Sequence, residues 1–174
     1  MSLQEQAEKL IADLKLVEML SAFGETHVVG NVAFGTTTKA DVDIQVYAPA
    51  HYEDVARDIV TKLSIIGLFG IRERRLKKSK KYLITGTFLY KETEWAIDIT
   101  LTQPDTRYIR DSYRFLLDYS SKMTDEKRTQ IIEFKEAFAD KKVTGDNAAF
   151  YIYTAVLDKN ISSIEQMQEY LKTL

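Results

Sequence analysis

Near the N-terminus, apolar residues fall at Leu3, Ala7, Leu10, Ile11, Leu14, Val17 and Leu20. That spacing predicts one amphipathic helix, with Gly24 placed to stop it. A short apolar run at residues 27–30 predicts a strand. Residues 30–39 are rich in Gly and Thr and predict a turn with a short helical segment. In Asp41–Tyr47 polar and apolar positions alternate strictly: Asp41, Asp43 and Gln45 leave one face, Val42, Ile44 and Val46 the other. Pro49 precedes a second amphipathic helix carrying Tyr52, Val55, Ala56, Ile59, Leu63 and Ile66, with Gly67 at its end. Residues 71–76 and 82–90 predict two strands joined by a basic turn over 77–81. Alternation returns over residues 95–102, where Trp95, Ile97, Ile99 and Leu101 share a face and Ala96, Asp98 and Thr100 share the other.

Past Pro104 the pattern becomes helical only. Helices are predicted at about 107–119, 125–139, 147–157 and 164–173. Thr124 and Asp146 are suited to N-caps, and Ser162 with Glu165 spells a capping box. The expected fold class is α/β (α+β): a mixed sheet of about five strands with two helices on one face and an α-helical C-terminal region. The opposite face carries the acids and opens to a cleft, with the helical region as its far wall. The expected division is 1–103 and 104–174. No internal repeat or low-complexity segment interrupts it.

Composition narrows the chemistry. At 174 residues, 45% hydrophobic and 29% charged, the chain suits one domain or a small domain with an appended helical piece. A net charge of -2 gives no bulk signal for nucleic acid or acidic membrane. The absence of cysteine excludes disulfides and thiolate metal sites, and His27 and His51 are too few to build a histidine site. No apolar run approaches the roughly 20 residues that span a bilayer. The polar N-terminus is unlike a secretory signal. A soluble, cytoplasmic protein without a membrane partner is the expectation.

Asp41 and Asp43, two apart on one strand face, repel each other, and a divalent cation relieves that repulsion. Oxygen-rich sites of this kind suit Mg2+ or Mn2+. Asp98 sits between Ile97 and Ile99 and points away from their apolar face; if its strand lies beside Asp41–Tyr47, a third carboxylate joins the pair. Just before the pair, Gly30-Asn31-Val32-Ala33-Phe34-Gly35 lets backbone N–H groups approach an anion such as a triphosphate.

Val29-Gly30-Asn31, then Gly35, then Asp41-Val42-Asp43, with Asp98 in Ala96-Ile97-Asp98-Ile99, resembles the signature of the DNA polymerase beta-like nucleotidyltransferase superfamily. That signature is a Gly-Ser pair at a strand end, a variable stretch, an Asp-x-Asp on the next strand and a third carboxylate later. Two departures stand out: Asn31 replaces the Ser, and Ala40 replaces the polar residue before the first Asp. An amide N–H also donates to phosphate oxygen. The resemblance implies a catalytic domain over 1–103. Asp41, Asp43 and Asp98 would be its catalytic and metal-binding residues, holding two Mg2+ or Mn2+ ions. Gly30, Asn31 and Gly35 would bind the nucleotide. It implies transfer of a nucleoside monophosphate, most simply AMP from ATP, to an acceptor hydroxyl with release of pyrophosphate. Asp98 would lie nearer the acceptor, with Glu94 as a second base. The expected partners are a nucleoside triphosphate and a small-molecule or protein acceptor; nucleic acid is disfavoured, and a homodimer is compatible with the sequence.

Competing readings are weaker. Gly30 and Gly35 alone suggest a P-loop, but Thr36 and Thr37 stand where its Lys belongs. A metal-dependent glycosyltransferase also uses Asp-x-Asp, yet its usual domain exceeds this chain. A catalytically silent, antitoxin-like binding protein fits Asn31 and Ala40, but not the retention of three repelling acids. Arg72, Arg74, Arg75, Lys77, Lys78, Lys80 and Lys81 read as a solvated basic hairpin, or as one in which one or two residues contact triphosphate or a polyanionic acceptor; which residues point inward depends on strand register. Arg107 and Arg110 open the first C-terminal helix within reach of a nucleotide. Tyr108, Tyr113, Phe115, Tyr119, Phe150, Tyr151 and Tyr153 are expected mostly in helix packing, with a few of them, none singled out, as candidates to line a base or acceptor pocket, and His27 and His51 are expected in structural roles.

Overall fold

The computed structural model describes residues 1–48, 51–76, 81–103, 112–138 and 148–174. Strands β1 (Glu25–Val29), β2 (Asp41–Tyr47), β3 (Phe69–Leu76), β4 (Lys81–Tyr90) and β5 (Thr93–Thr102) form one sheet in the order β1-β2-β5-β4-β3. β2 and β5 run parallel, and the other pairs are antiparallel, so the sheet is mixed. The alternation read from sequence sorts its faces. Val42, Ile44, Val46, Ile84, Trp95, Ile97, Ile99 and Leu101 are buried on one side. They pack in one cluster with Ala7, Leu10, Leu16 and Leu20 from α1 (Leu3–Asp13) and α2 (Leu16–Ser21), and with Ala56, Ile59 and Leu63 from α4 (Tyr52–Ile65). Each large side chain withdrawn from water there contributes about 1.5–3 kcal/mol.

The N-terminal helix is two helices. Lys15 takes a left-handed conformation (φ 50°) and breaks the run, and helix ends at Ser21, short of Gly24. A continuous helix would present Leu14 and Val17 to the sheet. After the break Leu16, which is off the predicted stripe, is fully buried along with Leu20, while Leu14 and Val17 are only partly buried. A left-handed non-glycine residue costs about 1–2 kcal/mol, no more than one buried leucine returns.

On the other side lies α3 (Gly30–Phe34), followed by α5 (Ser112–Ser120), α6 (Asp125–Ala137), α7 (Ala148–Leu157) and α8 (Ile164–Lys172). Their second cluster contains Ile131, Phe134, Phe138, Ile152, Tyr153, Val156 and Met167, and Phe34 of α3 joins it. Thr124 caps α6 as expected, its side chain accepting from Lys127 N–H. The α8 cap sits one residue later than expected: Ser163 accepts from Gln166 N–H, and Gln166 Oε1 accepts from Ser162 N–H. No described helix is long and apolar enough to cross a membrane. Pro49, the turn at 77–80, the 103/104 boundary and the Asp146 cap lie outside the described residues.

Candidate active site

Strand register assembles the acids. Asp43 of β2 pairs with Asp98 of β5 and with Val29 of β1, while Asp41 pairs with Ala96. Neighbouring strands lie about 4.8 Å apart, so Asp41, Asp43 and Asp98 leave one face as a group. Gly30 makes room for them. It has φ +65°, and a Cβ there would sit 2.4 Å from Asp43 Oδ2. Only glycine lets α3 descend this closely onto the Asp43 carboxylate.

The crowding shows in the protonation equilibria. Burial, then the charges of Asp41 and Asp98, push Asp43 up to about 7. Asp98 is also raised, first by burial and then by Asp41. Three hard oxygen donors in surplus negative charge match a divalent cation in kind. Among the described residues no three acid or histidine side chains already close around a common cation position.

A cation that the sequence analysis overlooked stands beside them. Lys135 of α6 bonds through Nζ to Asn31 Oδ1, and to Thr36 O at 2.9 Å. Burial lowers it to about 8, against the pull of Asp41 and Asp43. Its signal was in the pattern: with Ile131, Phe134 and Phe138 it continues the i, i+3, i+4, i+7 stripe that faces the core. Tyr153, a buried helix residue as expected, also has a polar task. Its OH donates to Asn31 Oδ1 (3.3 Å) and pairs with the fully buried Thr36 hydroxyl. Lysine has no acceptor, so the Asn31 atom facing Lys135 is its oxygen. The Asn31 NH2 is thereby aimed the other way, 3.5 Å from both Asp41 carboxylate oxygens.

These groups border a cavity of about 320 Å³. Gly30, Asn31, Asp41 and Asp43 form its polar side; Phe34, Phe115, Phe150 and Tyr153 form an aromatic side. Phe115 and Phe150, from the aromatic set expected mostly in packing with a few lining a pocket, are among those that line it. Asp98 lies on the same sheet face but does not line the cavity, and neither does Gly35. Gly35 ends α3 at φ +69° against Arg128, whose Nε donates to Phe34 O at 2.9 Å. Glu94 is exposed at the start of β5, away from the acids. His27 stacks on Tyr113 (ring centroids 3.5 Å apart), and His51 precedes α4 as its N-cap. Arg107 and Arg110 are outside the described residues.

No protein-family model matches the sequence, and no curated protein matches it. Solved structures do. The Cid1 poly(U) polymerase with magnesium and 3'-dATP bound aligns at TM-score 0.56 and 15% identity, over 88% of this chain and 47% of that one. A cytoplasmic RNA terminal U-transferase aligns at 0.58 and 14%, over 88% and 47%. The non-canonical poly(A) polymerase complex GLD-2–GLD-3 aligns at 0.58 and 17%, over 88% and 55%. The chain shares the nucleotidyltransferase fold of these structures. It spans about half the length of the chains it matches. Within the nucleotidyltransferase fold, the acid-bearing face opens toward α3, α5, α6 and α7.

Proposed function

We propose that this chain is a metal-dependent nucleotidyltransferase that moves a nucleoside monophosphate, AMP from ATP in the simplest case, onto an acceptor hydroxyl with release of pyrophosphate. The observation that carries the reading is the Asp43–Asp98 register pair with Asp41 beside it, where Asp41 and Asp43 line a cavity of about 320 Å³ on a nucleotidyltransferase fold. Asp41, Asp43 and Asp98 would hold Mg2+ or Mn2+, which when bound supplies charge stabilisation to the transferring phosphoryl group. Asn31 presents its NH2 to the triphosphate, and Gly30 lets the backbone approach it. The aromatic side of the cavity suits a nucleobase. Asp98, outside the cavity, would accept the acceptor's hydroxyl proton.

One observation favours a second reading, a silent member that works by binding. Lys135 already places a positive charge near Asp41 and Asp43, which reduces the need for a metal. Calorimetry with a non-hydrolysable ATP analogue separates the two. Binding that requires Mg2+ and disappears in Asp41→Asn/Asp43→Asn is the expected result. Failure to bind any of the ATP, GTP, CTP and UTP analogues would leave the silent reading.

A further inference from the structure

The sheet register decides which residues of the basic hairpin share the acid face. Arg72 pairs with Thr85, and Thr85 with Asp98, so Arg72, Thr85, Asp98 and Asp43 form one row across the sheet. Arg74, Leu83, Thr100 and Gln45 form the next row. Arg75 and Glu73 point to the opposite side, where Arg75 Nη1 bonds Glu53 of α4 at 2.6 Å and Glu73 accepts from Tyr82 OH at 3.0 Å. Arg57, Arg75 and Arg128 each hold a carboxylate. Arg72 and Arg74 are exposed and hold none among the described residues.

The helical wall stands over the β1 and α3 side. The β3–β4 side of the same face is open, and Ala96, Leu89, Arg72 and Arg74 are all exposed there. Arg72 lies two strand spacings from Asp98, about 10 Å between backbones. Arg72 and Arg74 lie about 7 Å apart along their strand. The result is a short linear run of unpaired guanidinium groups, leading away from the carboxylate nearest the acceptor, with the Thr85 hydroxyl between.

We propose that this open β3–β4 face docks the acceptor, and that the acceptor is a single-stranded nucleic acid. This rests on the nucleotidyltransferase reading above. Two arginines in line fit successive phosphates of a chain better than one phosphate, and guanidinium donates bidentately to phosphate oxygens. The terminal ribose hydroxyl would then lie at Asp98. Its oxygen forms the new bond to the α-phosphorus, the bond to pyrophosphate breaks with the electron pair leaving on pyrophosphate, and the hydroxyl proton passes to the Asp98 carboxylate. A net charge of -2, averaged over the molecule, carries no signal of such a local run.

The test is fluorescence anisotropy with a 5'-labelled single-stranded oligoribonucleotide of mixed sequence, over a salt series. Wild type is compared with Arg72→Ala/Arg74→Ala, Arg72→Lys/Arg74→Lys, and Arg57→Ala/Lys62→Ala on the helix-covered side, with thermal melts to verify folding. The expected result is at least tenfold weaker binding for Arg72→Ala/Arg74→Ala. Its log–log salt slope should fall by about 1.4, the value for two phosphate contacts on a single strand. The lysine variant should keep the slope, and the α4 variant should bind as wild type. Equal loss in the α4 variant, or an oligonucleotide that wild type does not bind, overturns the proposal. Calorimetry with the ATP analogue and Mg2+, run in parallel, keeps the two readings apart. Nucleotide binding without oligonucleotide binding leaves the transferase and points to a small-molecule or protein acceptor.

Discussion

At the residue scale, the acids and their neighbours make opposite demands. Asp43, raised to about 7, is protonated in the folded chain over a range where the unfolded chain has already ionised it. Between its unfolded value near 3.8 and about 7 the native state binds the extra proton, so stability falls as pH rises through that window. The gap of about three units is worth about 4 kcal/mol as an upper bound. Asp43→Asn is therefore expected to melt higher than wild type in metal-free buffer at pH 8, and to match it at pH 4. At pH 8, Mg2+ should raise the melting temperature of wild type and leave that of Asp43→Asn nearly unmoved. A second expectation concerns Asn31. If Lys135 and Tyr153 act by aiming its NH2, Tyr153→Phe should weaken Mg2+-dependent analogue binding several-fold. The same change in an Asn31→Ser background should cost much less, because serine has no carbonyl to be held. A double-mutant cycle in calorimetry reads the coupling directly.

At the element scale, the capping of α8 gives a clean check. Ser163, not Ser162, accepts from the third residue along. Ser163→Ala should cost about 1 kcal/mol, and Ser162→Ala less than half of that, as denaturant midpoints would show. Most elements were legible because their patterns are periodic. Asp41–Tyr47 and the strand holding Asp98 alternate without a fault, and the structure pairs them in register. What escaped was decided by contacts between elements. The break at Lys15 goes with burial of Leu16 in place of Leu14 and Val17, an exchange that a single helix pattern does not contain. The serine shift in α8 depends on Gln166, which competes with Glu165 for the cap. Lys135 lay on a legible core-facing stripe, yet its partners, Asn31 and Thr36, are about a hundred residues away in sequence. The inward arginines of the hairpin could not be read until β3 and β4 were in register, because a one-residue slip exchanges every side chain between faces.

At the scale of the whole molecule, α3 is the joint between sheet and helical wall. Gly30 at its start touches Asp43, and Phe34 at its end is buried among Phe115, Tyr153 and the rest of the second cluster. This five-residue helix thus links the two cores, with Val32 in the first cluster and Phe34 in the second. Phe34→Ala removes the one buried α3 side chain that anchors the wall, at a cost of about 3–5 kcal/mol if the site does not collapse. The loss should be local. Hydrogen exchange should quicken in α5, α6 and α7 while amides of β2, β4 and β5 keep their protection, because the sheet's own core lies on its other face. Analogue binding should fall as well, since Asn31 is aimed by Lys135 and Tyr153 from that wall. Uniform loss of protection across both clusters would instead mean that the sheet and the helical wall unfold as one unit, and that α3 transmits rather than separates their stabilities.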